Sequence, residues 1–194
     1  MNQALELILN EIHNHLHLGA TRRSSPMHTP IVGTADGDLR VMVLRAFDLA
    51  ARTLRFHTDA RSPKIAAIKD DPSITVLFYD QEAKVQIRAR GIGRVDTGGA
   101  VVDAAWREAT PFAKRCYLAE SAPGGSCDSP VSGLPDWVEG ITPSEAQVAP
   151  GRENFAVLRV RIESFDWLYL ANTGHRRARF EFSDERMFGN WLVP

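Results

Sequence analysis

The sequence predicts a mainly β protein, a small antiparallel barrel with helices at its periphery. Three observations carry that expectation. From residue 31 onward, short runs rich in β-branched and aromatic residues, roughly 31–35, 40–47, 53–58, 73–80 and 84–95, are parted by turn-rich pieces such as Asp36-Gly37-Asp38, the pattern of an antiparallel meander. In the run at 84–90, Val85, Ile87 and Ala89 alternate with Gln86, Arg88 and Arg90, so one strand face is core and the other polar. At 40–45, Val41, Met42, Val43 and Leu44 make both faces apolar, which fits a central barrel strand covered on each side.

The elements follow in chain order. Residues 1–19 read as a packing helix, because Leu5, Ile8, Leu9, Ile12 and Leu16 recur at three- and four-residue spacing and Gly19 follows as a stop. His13, His15 and His17 fall inside it. Only His13 and His17 share a face, with no carboxylate or cysteine to complete a metal site, so they read as a solvated face. Arg22-Arg23 at the helix end reads as a partner or substrate contact or as a complement to the helix dipole.

A second helix is expected over 63–70, opened by Ser62 as a cap and Pro63 as a preset first position, and closed by Asp71-Pro72. Gly91-Ile92-Gly93 lacks the third glycine and the helix of a dinucleotide loop, so it reads as a turn or bulge. A third helix spans about 99–109. Between 120 and 151 the breakers Pro123-Gly124-Gly125, Pro130, Gly133, Pro135, Gly140 and Pro143 predict a long irregular loop, in which Trp137 suggests docking. Strand patterning resumes at 155–162, 166–170 and 178–182, before Trp191-Leu192-Val193-Pro194. Residues 1–194 are read as a single domain without internal repeats.

Composition excludes several function classes. A formal charge of −1 shows no basic excess for nucleic acid, so any anion site must be local. No run of about 18 apolar residues occurs, hence no membrane span, and the N-terminus with Glu6 and Glu11 resembles neither a secretory leader nor a transit peptide. Two cysteines, Cys116 and Cys127, are too few for a disulfide framework and lack a zinc motif. Cys116 reads as a small buried or half-buried residue, no metal site is expected, and a cytoplasmic location is the default.

Thr58, Arg61, Ser62 and Lys64 lie within seven residues where a strand ends and a helix begins. Hydroxyls, cations and free amides in that arrangement can cradle a phosphate. From the segment alone, Ser62 as a plain cap beside solvated Arg61 and Lys64 is the favoured reading.

Several segments together resemble the pyridoxamine 5′-phosphate oxidase superfamily, the FMN-binding split barrels. Its pattern Arg-x-Val-Leu-Leu-Lys is matched by Arg40 to Arg45, its Phe-Tyr-Thr-Asn-x-x-Ser-Arg-Lys by Phe56 to Lys64, and its Gln-Val-Arg strand by Gln86-Ile87-Arg88. The family's C-terminal Trp, His and Arg are matched by Trp167, His175 and Arg177, and its closing Trp-Leu-Pro region by a shortened Trp191 to Pro194. Residues 110–150 do not align.

The resemblance implies a Greek-key split barrel that binds FMN at the interface of a homodimer. Position by position, Arg40, Thr58, Ser62 and Lys64 would hold the phosphate, with Arg61 a substitute donor. His57 stands where the family has Tyr. Val41, Met42 and Val43 would line the isoalloxazine through backbone groups, Gln86 would bond the ring's polar edge, and Trp167 and Arg177 would complete the site. Without the resemblance, Gln86 is an outward strand residue, Trp167 a core or interface aromatic and Arg177 part of a solvated arginine edge. Arg45 and His175 match positions facing the flavin and are the candidates for meeting a substrate.

Departures are equally informative. The family Lys is Arg45, and the Arg before the second Lys is Pro63. The Arg that grips the vitamin B6 phosphate falls at Thr173, and further substrate positions fall near Trp106 and Thr110. The expected function is therefore an FMN oxidoreductase acting on a small molecule, other than a true pyridoxamine 5′-phosphate oxidase. The rivals are a non-catalytic FMN store, a pyridoxamine 5′-phosphate oxidase with altered substrate residues, and a split barrel holding deazaflavin or haem. No catalytic acid or base is evident.

Overall fold

In the computed structural model, which describes residues 2–183 and 186–194, all strand pairings are antiparallel. The chain opens with helix α1 (Gln3–Thr21), capped by the Asn2 side chain, whose oxygen accepts from the Ala4 amide at 2.9 Å. Leu5, Leu9, Ile12 and Leu16 are its buried stripe. They join the barrel residues in one core, each contributing on the order of 2 kcal/mol of apolar burial.

Strands β1 (Ile31–Thr34), β2 (Leu39–Val41), β3 (Leu44–Asp48), β4 (Thr53–Asp59), β5 (Ser73–Asp80) and β6 (Val85–Asp96) fall where the β-rich runs predict them. The segment at 40–47 is the exception. It breaks at Met42-Val43 into β2 and β3, which lie at opposite ends of the strand order β2-β1-β5-β6-β7-β4-β3, so it is an edge and not a central strand. Val41 is exposed, whereas Met42 and Leu44 turn into the core. Its apolar run therefore reflects a crossover between two edges rather than burial on both faces.

The last runs also merge. Residues 155–162 and 166–170 form one strand, β7 (Phe155–Tyr169), followed by β8 (Arg176–Phe182) and β9 (Met187–Leu192). Along one edge β7 pairs with β6; along the other, its first half pairs with β4 and its second half with β8. With the pairings β1 to β5 and β4 to β7, this departs from a simple meander. The result is a mainly antiparallel β architecture with a few helices, consistent with a split barrel.

Gly91 sits at the register shift between β6 and β7, as a bulge rather than a phosphate loop. A Cβ there would collide with the carbonyl of Arg161, so the close approach of the two strands requires glycine.

Helices α2 (Lys64–Asp70) and α3 (Ala100–Glu108) match expectation. A smaller core of Val102, Ala105, Phe155 and Val157 lies under α3, with Trp106 and Tyr117 packed on it. Past α4 (Pro111–Lys114) the chain is irregular, apart from 3-10 turns and α5 (Glu145–Val148), capped by Ser144 and Gln147. Trp137 in this stretch stays exposed and its neighbour Val138 is buried instead. Cys116 and Cys127 are both exposed, contrary to the burial expected of Cys116.

The long excursion is pinned by Lys114, which is 2% exposed, donates to Glu145 Oε2 at 2.7 Å and lies 5.3 Å over the Trp106 ring. Lys114→Met keeps the apolar stem but removes the ammonium. A loss of about 1–2 kcal/mol is expected in urea unfolding, because Glu145 remains solvated once unpaired. Among the described residues, no helix is long and apolar enough to cross a membrane.

Candidate functional site

The alternation of β4 sorts its side chains onto two faces: Leu54, Phe56 and Thr58 are buried on one, while Arg55 and His57 project from the other. At the end of β4 the chain turns through Ser62 into α2, and Lys64 points back across the turn. Its ammonium donates to Ser62 Oγ at 2.6 Å and to Thr58 Oγ1 at 3.1 Å. No carboxylate pairs with Lys64 among the described residues, and burial followed by the nearby Arg40 charge holds its pKa below the ordinary lysine value. Arg40 itself donates to Thr34 Oγ1 at 3.0 Å and pairs with Asp38.

Arg40, Thr58, Ser62 and Lys64 therefore come together as the sequence suggests. Ser62 is not the side-chain cap of α2; its hydroxyl serves Lys64 instead. Arg61 is not gathered with them. Asp59 holds its guanidinium bidentately, at 3.0 Å on Nε and 2.7 Å on Nη2, and raises its pKa. As a chemical site the four residues fit a phosphate: a half-buried ammonium resting on two hydroxyls, with a guanidinium beside it and no anion of its own.

Val41, Met42 and Val43 run between the two edge strands. Met42 donates its amide to the Pro30 carbonyl at 3.0 Å and buries its side chain, and Val41 is solvent-facing.

Gln86 and Arg177 lie elsewhere in the same copy. Both are opposite Leu168 on β7, whereas Thr58 is opposite Ala156, twelve residues and a contour of about 40 Å away. Arg177 donates to Asp166 at 3.0 and 2.7 Å, and Arg88 donates to the same carboxylate at 2.9 Å. Burial pushes the Asp166 pKa up, but these donors outweigh it and hold the carboxyl below its ordinary value.

Trp167 is on the opposite face from Arg177. It is 3% exposed, packs in the main core, stacks on Tyr169 and donates its indole N–H to Glu11 at 3.2 Å. The structure thus supports the core-aromatic reading of Trp167 more directly than a cofactor contact. His175 is exposed, in the loop between β7 and β8.

Arg45 and His57 meet in a separate cavity of about 290 Å³, on the outer face of β3 and β4. It also takes Arg23, which the sequence offers as a partner or substrate contact or as a dipole complement, together with Arg55, Glu108 and His28, which the sequence reading did not single out. The signal for Arg55 was present: Thr53, Arg55 and His57 alternate with Leu54, Phe56 and Thr58, placing Arg55 beside His57. His13, expected on a solvated face, is half-buried near Phe47 and Phe165, and burial lowers its pKa. No cluster able to hold a metal occurs among the described residues.

Residues 9–97 match the FMN-binding domain of pyridoxamine 5′-phosphate oxidase. The three N-terminal segments that carry the family resemblance all lie inside that match, and so does the whole of the Arg40, Thr58, Ser62 and Lys64 cluster. Trp167 and Arg177 lie outside it. Among solved structures, the chain is similar to a pyridoxamine 5′-phosphate oxidase-related, FMN binding protein from Nostoc punctiforme, at 21% identity over 95% of this chain and 96% of that one, with a TM-score of 0.70.

It is also similar to PhzG from Burkholderia lata, solved with tetrahydrophenazine-1-carboxylic acid, at 16% identity over 100% and 94% of the two chains, TM-score 0.66. A general stress family protein from Xanthomonas campestris aligns at 18% identity over 89% and 92%, TM-score 0.54. These likenesses show a shared fold along 89–100% of the chain. No curated protein matches.

Proposed function

We propose that this protein binds FMN and uses it as an oxidoreductase on a small molecule. The observation that carries the reading is the anion-free ammonium of Lys64, held by Thr58 and Ser62 beside Arg40 within the segment that matches the FMN-binding domain. Bound FMN would supply hydride or electron transfer. The residues of this chain would fix its phosphate through the Lys64 and Arg40 charges and the two hydroxyls.

A second copy of the chain belongs to the same proposal. Gln86 and Arg177 share one cross-strand row, far along β7 from Thr58. Within one copy, the residues that the family resemblance assigns to a single cofactor fall in two rows twelve β7 residues apart. A two-fold homodimer, in which one copy offers its phosphate cluster and its partner the Gln86 and Arg177 row, would bring them together.

On the substrate side, Thr173 stands where the resemblance calls for a phosphate-gripping arginine, and the further substrate-binding Tyr and Arg positions fall near Trp106 and Thr110, so pyridoxamine 5′-phosphate is not the proposed substrate.

Purification from a flavin-rich host tests the reading. The expected result is the two-band absorption of a flavin, a dimer in solution, and a melt stabilised by about 2.7 kcal/mol at an FMN concentration 100 times its Kd. A Soret band, or no shift with FMN, overturns the cofactor. Bound FMN that NADH and NADPH leave oxidised favours storage over catalysis.

A further inference from the structure

We propose that the hairpin between β1 and β2 sets how firmly the cofactor phosphate is held, with Thr34 positioning Arg40 and Asp38 acting as the counter-ion that a phosphate must displace. That the displacing anion is the phosphate of FMN rests on the flavin reading. Thr34 and Asp38 themselves are additions to the site, since the sequence reads them only as a strand end and a turn.

Five residues close the hairpin, Thr34-Ala35-Asp36-Gly37-Asp38. The Thr34 amide donates to the Asp38 carbonyl at 3.1 Å and the Gly37 amide to the Thr34 carbonyl at 3.0 Å, with Gly37 at φ +86°, a conformation that glycine adopts without a Cβ penalty. Asp36 holds the turn from inside: its Oδ1 accepts from the Asp38 amide at 3.2 Å and from Thr34 Oγ1 at 2.6 Å. A hydroxyl has one proton to give, so the Thr34 oxygen has only lone pairs left for its remaining neighbour. That neighbour is Arg40, whose Nη1 donates to it at 3.0 Å. Arg40 stands opposite Val32 on β1, and Thr34 is the next residue on the same face. With Thr34 only 6% exposed, this edge of the guanidinium is fixed from within the fold.

The other edge is held loosely. Nη2 pairs with Asp38 Oδ2, and the Asp38 side chain is 67% exposed against 17% for Arg40, so the carboxylate can turn into water while the cation stays. Among the described residues that carboxylate accepts from Arg40 alone; the hairpin uses only the Asp38 main chain. Exposed ion pairs of this kind contribute little to folding.

The same charges reach Lys64. After burial, the Arg40 charge pushes its pKa down while Asp59 and Asp38 push it up, so Arg40, Asp38 and Lys64 belong to one electrostatic group. A phosphate settling on Lys64 therefore meets a like charge at Asp38 and takes over the Nη2 edge as Asp38 leaves it. Its affinity reflects the difference between two charge-assisted bonds rather than the strength of one. Riboflavin, which is FMN without the phosphate, should be blind to this exchange.

Titration by flavin fluorescence quenching, with FMN and riboflavin in parallel, tests this on the wild-type chain and three variants. Asp38→Asn keeps the turn and removes the competing charge, so it should tighten FMN about three- to tenfold and leave riboflavin where it was. Thr34→Val should weaken FMN about tenfold with riboflavin unmoved, and Thr34→Ser, which restores the hydroxyl, should recover most of that loss. Asp38→Asn alone decides the matter should Thr34→Val not fold.

An FMN Kd indifferent to Asp38→Asn or to Thr34→Val, one that moves in step with riboflavin, or a serine variant no better than the valine one overturns the proposal. The two readings fail separately. A wild-type chain that binds neither flavin removes the FMN reading and this one with it, whereas tight FMN binding that the variants do not alter removes this one alone.

Discussion

Lowering the pH from 7 to 4 is expected to cost this protein several kcal/mol of stability through His57 alone. The ring is packed edge-on against Phe155 at 4.8 Å between centroids. Burial, then the charges of Arg45 and Arg55, push its pKa down to about 3 from an ordinary value of 6.5. A histidine held below its unfolded value binds its proton more readily once unfolded, so protonation draws the chain toward the unfolded state. The contribution is complete above pH 6.5 and is lost steadily as pH falls toward 3.

Each pH unit in that window costs about 1.4 kcal/mol, giving about 3 kcal/mol by pH 4 and about 5 kcal/mol over the whole window. Below the ordinary carboxylate value of 3.8, Asp166 adds to the loss, since its lowered pKa stabilises the fold only while it is ionised. Urea unfolding at pH 7, 6, 5 and 4 checks the slope. His57→Gln, which cannot be protonated, should flatten it, and an unchanged slope in that variant would rule His57 out as the cause.

Replacing Lys64 by Met should weaken FMN binding by about 10- to 100-fold, from the loss of one charge-assisted bond worth roughly 1.5–3 kcal/mol. Quenching of flavin fluorescence on titration gives the Kd directly. The same substitution should leave the apoprotein at least as stable as before. Lys64 is a half-buried cation with two hydroxyl partners and no carboxylate, and burial lowers its pKa, so folding gains little from its charge. A residue retained for packing would behave in the opposite way. Lys64→Met that folds less stably yet binds FMN normally would remove the phosphate from this cluster.

Local pattern revealed much of this fold and some of its site. The leucine spacing of α1, the alternation of β6 and the cluster Thr58-Ser62-Lys64 are short-range signals, and the structure follows them. What failed was long-range. Val41 to Leu44 are apolar in an unbroken row, yet the row crosses between sheet edges, because burial on two faces and a change of direction leave the same composition.

Trp167 and Arg177 are ten residues apart in a chain that reverses between them. Whether they share a face depends on strand register, which the sequence does not display. Arg61 looked free because nothing in the segment marks Asp59, two residues away, as its bidentate partner. Arg55 and Glu108 are 53 residues apart, and nothing in either segment announces that they meet.

The continuous strand β7 acts as a measuring rod with one fixed kink. Its first half anchors the strand that bears Thr58, its second half anchors the strand that bears Arg177, and the bulge opposite Arg90 and Gly91 lies between them. Their separation is set by one strand, so it would change only by inserting or deleting residues in the rod itself. Variation in what this molecule accommodates must then enter through the arms at either end and through the excursion after α4, where length is not metered.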